Sequence, residues 1–232
     1  MGEVYAMLND VMTELKSLGT EQNRKIYRRH GAGDNQFGVS FANLRKLAKR
    51  LKPNNELADE LWRTENQDAR TLATLIADPK TISGTTLEHW VHDIDYYVLA
   101  DTLTTDLIKS GPLAKEKADA WSGSDLEYVG QAGWNLVAIL ALGKNDLPDG
   151  YFEAYLERIE SGIGVTKNRV RHAMNGALIA IGVRNERLRA KAETVATKIG
   201  RVEVDHGETG CVTPEAIPYI EKTWARKAKK SA

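Results

Sequence analysis

From residue 3 to residue 228 the apolar residues recur at intervals of three and four, and no stretch alternates with a period of two long enough to make a half-buried strand. A chain patterned this way builds its core from helix faces alone. The spacing predicts helices over 3–17, 21–30, 40–51, 55–64, 66–77, 86–92, 95–109, 113–121, 125–142, 149–160, 166–181, 185–199 and 214–228. The punctuation agrees. Ser40 and Ser124 stand where side-chain oxygens cap helix starts, and Thr213-Pro214-Glu215 supplies a cap, a first-position proline and an early acid. Gly19, Gly31, Gly111, Gly143, Gly182 and Gly200 fall where helices should stop.

Short connections make sequential helices pack as antiparallel hairpins. About 12–13 helices arriving in pairs every 35–45 residues fit a HEAT- or armadillo-like α-α superhelix, an all-α solenoid; a compact multi-helix bundle is the rival arrangement. The longest irregular stretch, 201–213, is too short for a domain linker, so residues 1–232 read as one domain with a short basic tail over 226–232. Lys+Arg and Asp+Glu are both 32, so no global field recruits a polyanion and any such role needs locally clustered cations. The single cysteine, Cys211, excludes an intrachain disulfide. There is no bilayer-length apolar run and no signal-peptide pattern, so a cytoplasmic protein without a membrane partner is expected.

Cations do cluster locally. Arg24, Lys25, Arg28, Arg29 and His30 are followed by Arg45, Lys46, Lys49 and Arg50 on the polar side of the next helix, opposite Phe41, Leu44, Leu47, Ala48 and Leu51. Lys167, Arg169, Arg171 and His172 open the helix at 166–181, and Lys222, Arg226, Lys227, Lys229 and Lys230 crowd the C-terminus. Such runs are solvated faces unless a solenoid brings them to one surface, where they can track a phosphate backbone.

The helix at 95–109 holds a second signal. Tyr96, Leu99, Ala100, Leu103 and Leu107 form one apolar stripe, whereas Asp101 lies nearly opposite it with Tyr97 one turn before. A carboxylate paired with an aromatic off the core stripe is either plain surface or a site.

These residues resemble a known family. Gly38-Val39-Ser40-Phe41, Leu44-Arg45-Lys46-Leu47-Ala48, Glu60-Leu61-Trp62, Asp68-Ala69-Arg70 and Leu72-Ala73 look like the DNA alkylation repair (AlkD-like) DNA glycosylases, in the same order and at similar spacing through most of the chain. The resemblance implies a HEAT-like solenoid that holds duplex DNA in a basic concave face and hydrolyses the N-glycosidic bond of cationic N3- or N7-alkylated purines without a base pocket. The implied partner is duplex DNA containing alkylated bases, bound by a monomer without a cofactor. Tyr97-Val98-Leu99-Ala100-Asp101 matches the family's Trp-x-x-x-Asp cleft pattern with Tyr for Trp. A fixed carboxylate stabilises the oxocarbenium-like sugar left by a departing purine, and a ring face beside it contacts the lesion nucleotide. Asp101 and Tyr97 are therefore the expected catalytic pair.

For DNA contact the expected residues are Arg45, Lys49, Gln131, Trp134, Lys167, Arg169, Arg171 and His172. Where the family has a cleft arginine, this chain reads Gly130-Gln131-Ala132-Gly133-Trp134. Gln131 is then the phosphate ligand and Trp134 the aromatic. A further family tryptophan should fall near Asn175-Gly176-Ala177, where this chain has none, with Arg171 and His172 one to two turns earlier for the phosphate role. These departures leave open a catalytically silent DNA-binding paralogue, and the zero net charge leaves open a protein-interaction scaffold. Asp205, His206 and Glu208 lie on a loop that either reaches the cleft with Lys198 and Arg201 or is a structured connector. With Cys211 they make an odd mixed ligand set, and no metal is expected. His206 is a possible base for Cys211, but a third triad member is missing. Trp62 and Trp90 read as packing anchors.

Overall fold

The computed structural model describes residues 2–51 and 53–231; Ala232 and the side chain of Lys230, both in the expected basic tail, lie outside the described residues. Thirteen α-helices and no strand are present among them. They are α1 (Gly2–Leu18), α2 (Glu21–Arg29), α3 (Phe41–Leu51), α4 (Asn55–Arg63), α5 (Gln67–Ile76), α6 (Gly84–His92), α7 (Tyr97–Thr102), α8 (Ala114–Trp121), α9 (Glu127–Leu142), α10 (Asp149–Gly162), α11 (Asn168–Gly182), α12 (Glu186–Ile199) and α13 (Ala216–Ser231). The chain groups into two compact units, residues 1–113 with 207–209, and 114–206 with 210–232. No helix of the described residues is long and apolar enough to cross a membrane.

In the first unit α3, α5 and α7 lie side by side, while α1, α4 and α6 form the layer behind them. The back layer is pinned by a tryptophan stack. Trp62 and Trp90 lie parallel with ring centroids 4.5 Å apart, and each indole N–H donates to a carboxylate, of Asp93 and Asp59 respectively. Arg70 of α5 closes this group: its Nε and Nη1 donate to the carbonyls of Trp62 and Asp93, and its guanidinium lies over the Trp62 ring. The expected long helix over 95–109 is shorter than its periodicity suggests. Its first four-residue turns end at Thr102, a π turn covers Leu103–Leu107, and a 3-10 turn ends the run at Ser110. Thr104 and Thr105 cause this locally, because their hydroxyls donate back to the carbonyls of Ala100 and Asp101 and compete with the regular ladder. The stripe itself is as the spacing requires, with Tyr96, Leu99, Ala100, Leu103 and Leu107 all buried.

The segment between α2 and α3 has no ladder of its own. Its backbone N–H groups at Phe37, Gly38 and Val39 all donate to the Asp68 carboxylate, at 2.6, 3.0 and 2.8 Å. Gly38 is obligatory here, since its φ is +78° and a Cβ would lie 2.5 Å from the Thr20 carbonyl. Burial raises the Asp68 pKa, and the three N–H donors oppose that shift without cancelling it.

In the second unit α9, α11 and α13 make one layer, with α10 and α12 in the other. α9 crosses the end of α8 so closely that a Cβ on Gly133 would lie 2.2 Å from the Ser122 nitrogen. Behind α9 an aromatic group joins Trp134, Tyr151, Phe152 and Tyr155 edge to face. α13 docks on α11 through Ile220, which is fully buried, and through Trp224, whose indole donates to the Gly182 carbonyl.

Asp68→Asn tests the first unit's frame. The amide presents an NH2 where an oxygen now accepts, so one or two of the three N–H donors lose their partner. The expected loss is about 1–3 kcal/mol, read as a lower urea midpoint at unchanged slope.

Candidate nucleic-acid interface

The first unit assembles its candidate groups on α2, α3 and α7. Thr20 caps α2 through Asn23, and the helix ends at His30. The imidazole of His30 shares a 2.6 Å hydrogen bond between its Nδ1 and the Tyr97 hydroxyl, and the two rings lie 6.2 Å apart. Tyr97 also meets the buried Tyr96 edge to face. The tyrosine ring is therefore held from both ends, one turn before the half-buried Asp101 on the same helix face. His30 belongs to the site although sequence reasoning placed it only among the cations. Its partner is 67 residues away, and no local pattern announces the pair.

Among the neighbouring cations, acids neutralise some and not others. Arg24 and Arg28 flank Glu21, Arg28 also meets Asp34, and Arg50 pairs with Glu14. Arg45 is exposed, 3.8 Å from Asp106 and over the Phe41 ring. Lys25, Arg29, Lys46 and Lys49 are exposed and carry no ion pair among the described residues.

The second unit corrects several expectations. Gln131 and Trp134 are each 2% exposed, so neither is a surface ligand. The Trp134 ring packs edge-on against Tyr155, with the Arg158 guanidinium 5.0 Å from its centroid. The cover on Trp134 thus comes from α10. Arg171 is committed to the fold: its Nε, Nη1 and Nη2 donate to the carbonyls of Ile163, Glu203 and Thr166 at 3.2, 3.1 and 2.9 Å. That guanidinium fastens both the α10–α11 turn and the 201–213 loop.

The same loop is held by a reciprocal pair. The Asn168 amide donates to the Asp205 carbonyl and accepts from the Asp205 N–H. His206 hydrogen-bonds the Thr213 hydroxyl and packs edge-on to His172, 5.4 Å away. Burial first, then the charges of His206 and Arg169, hold the His172 pKa below its ordinary 6.5. Asp205 and Glu208 are exposed, and Lys198 and Arg201 pair with Glu160 and Glu203. Glu203, Asp205 and His206 of the loop are thus held against α11. No group of three or more His, Cys, Asp or Glu among the described residues could hold a metal ion. Lys167, at the cap of α11, is exposed without an ion pair among those residues, while Arg169 is half-buried and its backbone N–H donates to Glu127.

Comparison with known proteins places this geometry. A family model described as DNA alkylation repair enzyme matches residues 11–220. The chain is 32% identical over 220 residues to uncharacterized protein Lin0241 of Listeria innocua, covering 90% of this chain and 94% of that protein. It is 32% identical over 217 residues to uncharacterized protein Lmo0209 of Listeria monocytogenes, with the same coverage. A solved structure described as "A new family of proteins related to the HEAT-like repeat DNA glycosylases with affinity for branched DNA structures" superposes with a TM-score of 0.86 at 31% identity, covering 95% of this chain and 94% of that one. The fold is accordingly HEAT-like.

Arg171→Met separates a structural from a phosphate-binding arginine. Losing three carbonyl contacts should lower stability by about 1–3 kcal/mol. The salt dependence of DNA affinity should stay the same, whereas a phosphate ligand would take close to one unit of slope with it.

Proposed function

The chain belongs to the DNA alkylation repair enzyme family, and from that premise we propose that it binds DNA through its cationic helices and prefers branched structures. The observation that carries this reading is the set of four exposed cations on α2 and α3, Lys25, Arg29, Lys46 and Lys49, that no acid of the described residues neutralises. In a chain of zero net charge, cations left unneutralised are local sources of positive potential. The preference for branches is supported by the related solved structure, described as having affinity for branched DNA. In the second unit, Lys167 at the cap of α11 is a further exposed cation without an ion pair among the described residues.

A second reading is favoured by one specific arrangement: hydrolysis of the N-glycosidic bond of N3- or N7-alkylated purines at Asp101. The Tyr97 ring, fixed by His30, stands beside that carboxylate as a surface for the lesion nucleotide. As the bond breaks, the purine leaves with the bonding electron pair, and the sugar becomes oxocarbenium-like. The Asp101 carboxylate stabilises that charge and orients the water that attacks the anomeric carbon. The proton lost by this water passes to solvent or to the carboxylate.

Binding is measured by fluorescence anisotropy on a four-way junction and a linear duplex across a salt series. The junction should bind more tightly, and replacing Lys25, Lys46 and Lys49 by alanine should flatten the log–log salt slope by roughly 0.9 for each phosphate contact removed. Equal affinities for both DNAs, or a slope unmoved by the triple variant, would reject the reading. For the chemistry, methylated DNA is incubated with the protein and released bases are separated by chromatography. Asp101→Asn should slow release by on the order of a hundredfold or more while binding holds or tightens. A wild-type protein that binds but releases no base removes the hydrolytic reading and leaves the binding one intact.

A further inference from the structure

A recess of the first unit carries the opposite charge to the cationic helices α2 and α3. It has a volume of about 410 Å³, and its wall includes Asp34, Glu65, Gln67, Arg70, Asp93 and Asp95. The fold uses these acids only in part. Asp34 pairs with Arg28, Asp93 accepts from the Trp62 indole, and Asp95 accepts from the Gln67 amide at 2.7 Å. Glu65, Asp93 and Asp95 are exposed and carry no ion pair among the described residues. The one cation among the described residues of this wall, Arg70, is buried, and its Nε and Nη1 already donate to backbone carbonyls. The Asn35 amide, also in the wall, donates to the Thr64 carbonyl.

A second observation does not depend on charge. Gln67 lines the recess and is 5% exposed. Its amide orientation is fixed, because only the nitrogen can donate to the Asp95 carboxylate. That leaves Oε1 as the other arm of the same group, and it has no hydrogen-bond partner. A buried amide oxygen without a donor is unfavourable and calls for an explanation. The wall therefore offers acceptors to N–H groups and unpaired carboxylates to positive charge. A bare metal ion does not match it, since no group of three or more His, Cys, Asp or Glu among the described residues could hold one. The carboxylates do not converge on one point, so the matching cation has its charge spread along a chain.

We propose that this recess binds a linear aliphatic polyamine, its ammonium groups at Glu65, Asp93 and Asp95 and one N–H donated to Oε1 of Gln67. An alkylammonium group has N–H donors and no acceptor, which suits a wall whose amide nitrogens and arginine are already engaged. The methylene segments between ammonium groups let separate charges reach separate carboxylates. A volume of about 410 Å³ lies within the range of small-molecule sites. The proposal goes beyond the DNA-binding reading and stands without it, because the carboxylates that attract a polyamine repel a phosphate.

The test is isothermal titration calorimetry on the full chain without DNA, at one ionic strength, with spermidine, n-butylamine and magnesium chloride. Spermidine should bind about tenfold or more tightly than either of the others, because its linked ammonium groups meet several carboxylates at once. Glu65→Gln should weaken spermidine roughly two- to fivefold, and Glu65→Gln combined with Asp95→Asn about tenfold. Gln67→Met removes the orphan acceptor at similar length and should cost about tenfold in affinity. Asp10→Asn, which removes an exposed acid of α1 outside the recess, should bind as wild type. Glu65 has no ion pair to lose, so Glu65→Gln alone carries the test should the double variant not fold. Magnesium binding as tightly as spermidine overturns the proposal. So does an Asp10→Asn loss equal to that of Glu65→Gln, or wild-type affinity in the folded Glu65, double or Gln67 variants.

Discussion

The Asp68 carboxylate is the contact on which the first unit's architecture depends. The segment from Phe37 to Val39 crosses between two helices and cannot pair its own N–H groups, yet Gly38 and Val39 are buried. Unpaired buried N–H groups are among the most unfavourable features a fold can carry. One carboxylate in the first turn of α5 answers all three of them, where the helix N-terminus also favours negative charge. From the same segment the Gly38 carbonyl accepts from Thr20 and Asn23, and the Val39 carbonyl from Tyr27. Asp68 thereby fixes α2 as well as the loop. Since α2 ends at His30, it also fixes the partner of Tyr97.

Arg171 does the corresponding work in the second unit with the opposite charge. Asp68 gathers N–H groups, and Arg171 gathers carbonyls from a turn and a loop that have no regular pairing. Each is an ionic group held next to orphaned backbone, which is stronger than a neutral hydrogen bond would be. Arg70, folded over Trp62, is a third case. A consequence is that the charged residues most regular in their setting are not the ones that meet solvent. The cations left for a ligand are plainer: Lys25, Arg29, Lys46, Lys49 and Lys167, exposed and without an ion pair among the described residues.

This division explains what could be read from the sequence. Helix number, order and ends were legible because each helix buries one face, and a buried face leaves a period of 3.6 in the residues themselves. The π turn after Thr102 was not, because it depends on two threonine hydroxyls bonding backward instead of outward. The apolar stripe was legible, and so was the adjacency of Tyr97 and Asp101, since both follow from spacing on one helix. The His30–Tyr97 bond and the Asn168–Asp205 pair were not, because each joins residues far apart in the chain whose types admit many partners. Gln131 and Trp134 were misplaced because packing within the second unit buries them, and Arg171 because carbonyls of the α10–α11 turn and the 201–213 loop take up its guanidinium. A polar or aromatic residue on a helix is assigned to the surface or the core by what packs on it, and a helical wheel does not show that.

The residues that carry the family likeness take their meaning from the same division. Gly38, Asp68, Arg70 and Trp62 are the loop, its anchor, its brace and the stacked ring beneath; together they specify a way of joining α2 through α5. Such a set constrains the fold tightly because each member satisfies another's buried polar group, so none can change alone. It constrains the reaction weakly, because none of the four sits at the surface where a substrate would lie. What the frame leaves open is what its helix surfaces present to solvent. On α7 that is a carboxylate with a tethered phenol beside it, suited to a developing positive charge. On α11 it is the exposed Lys167 at the cap, with the half-buried Arg169 one turn in. A chain can keep the whole frame while the exposed side chains of its helices vary, which separates what fixes the fold from what fixes the function.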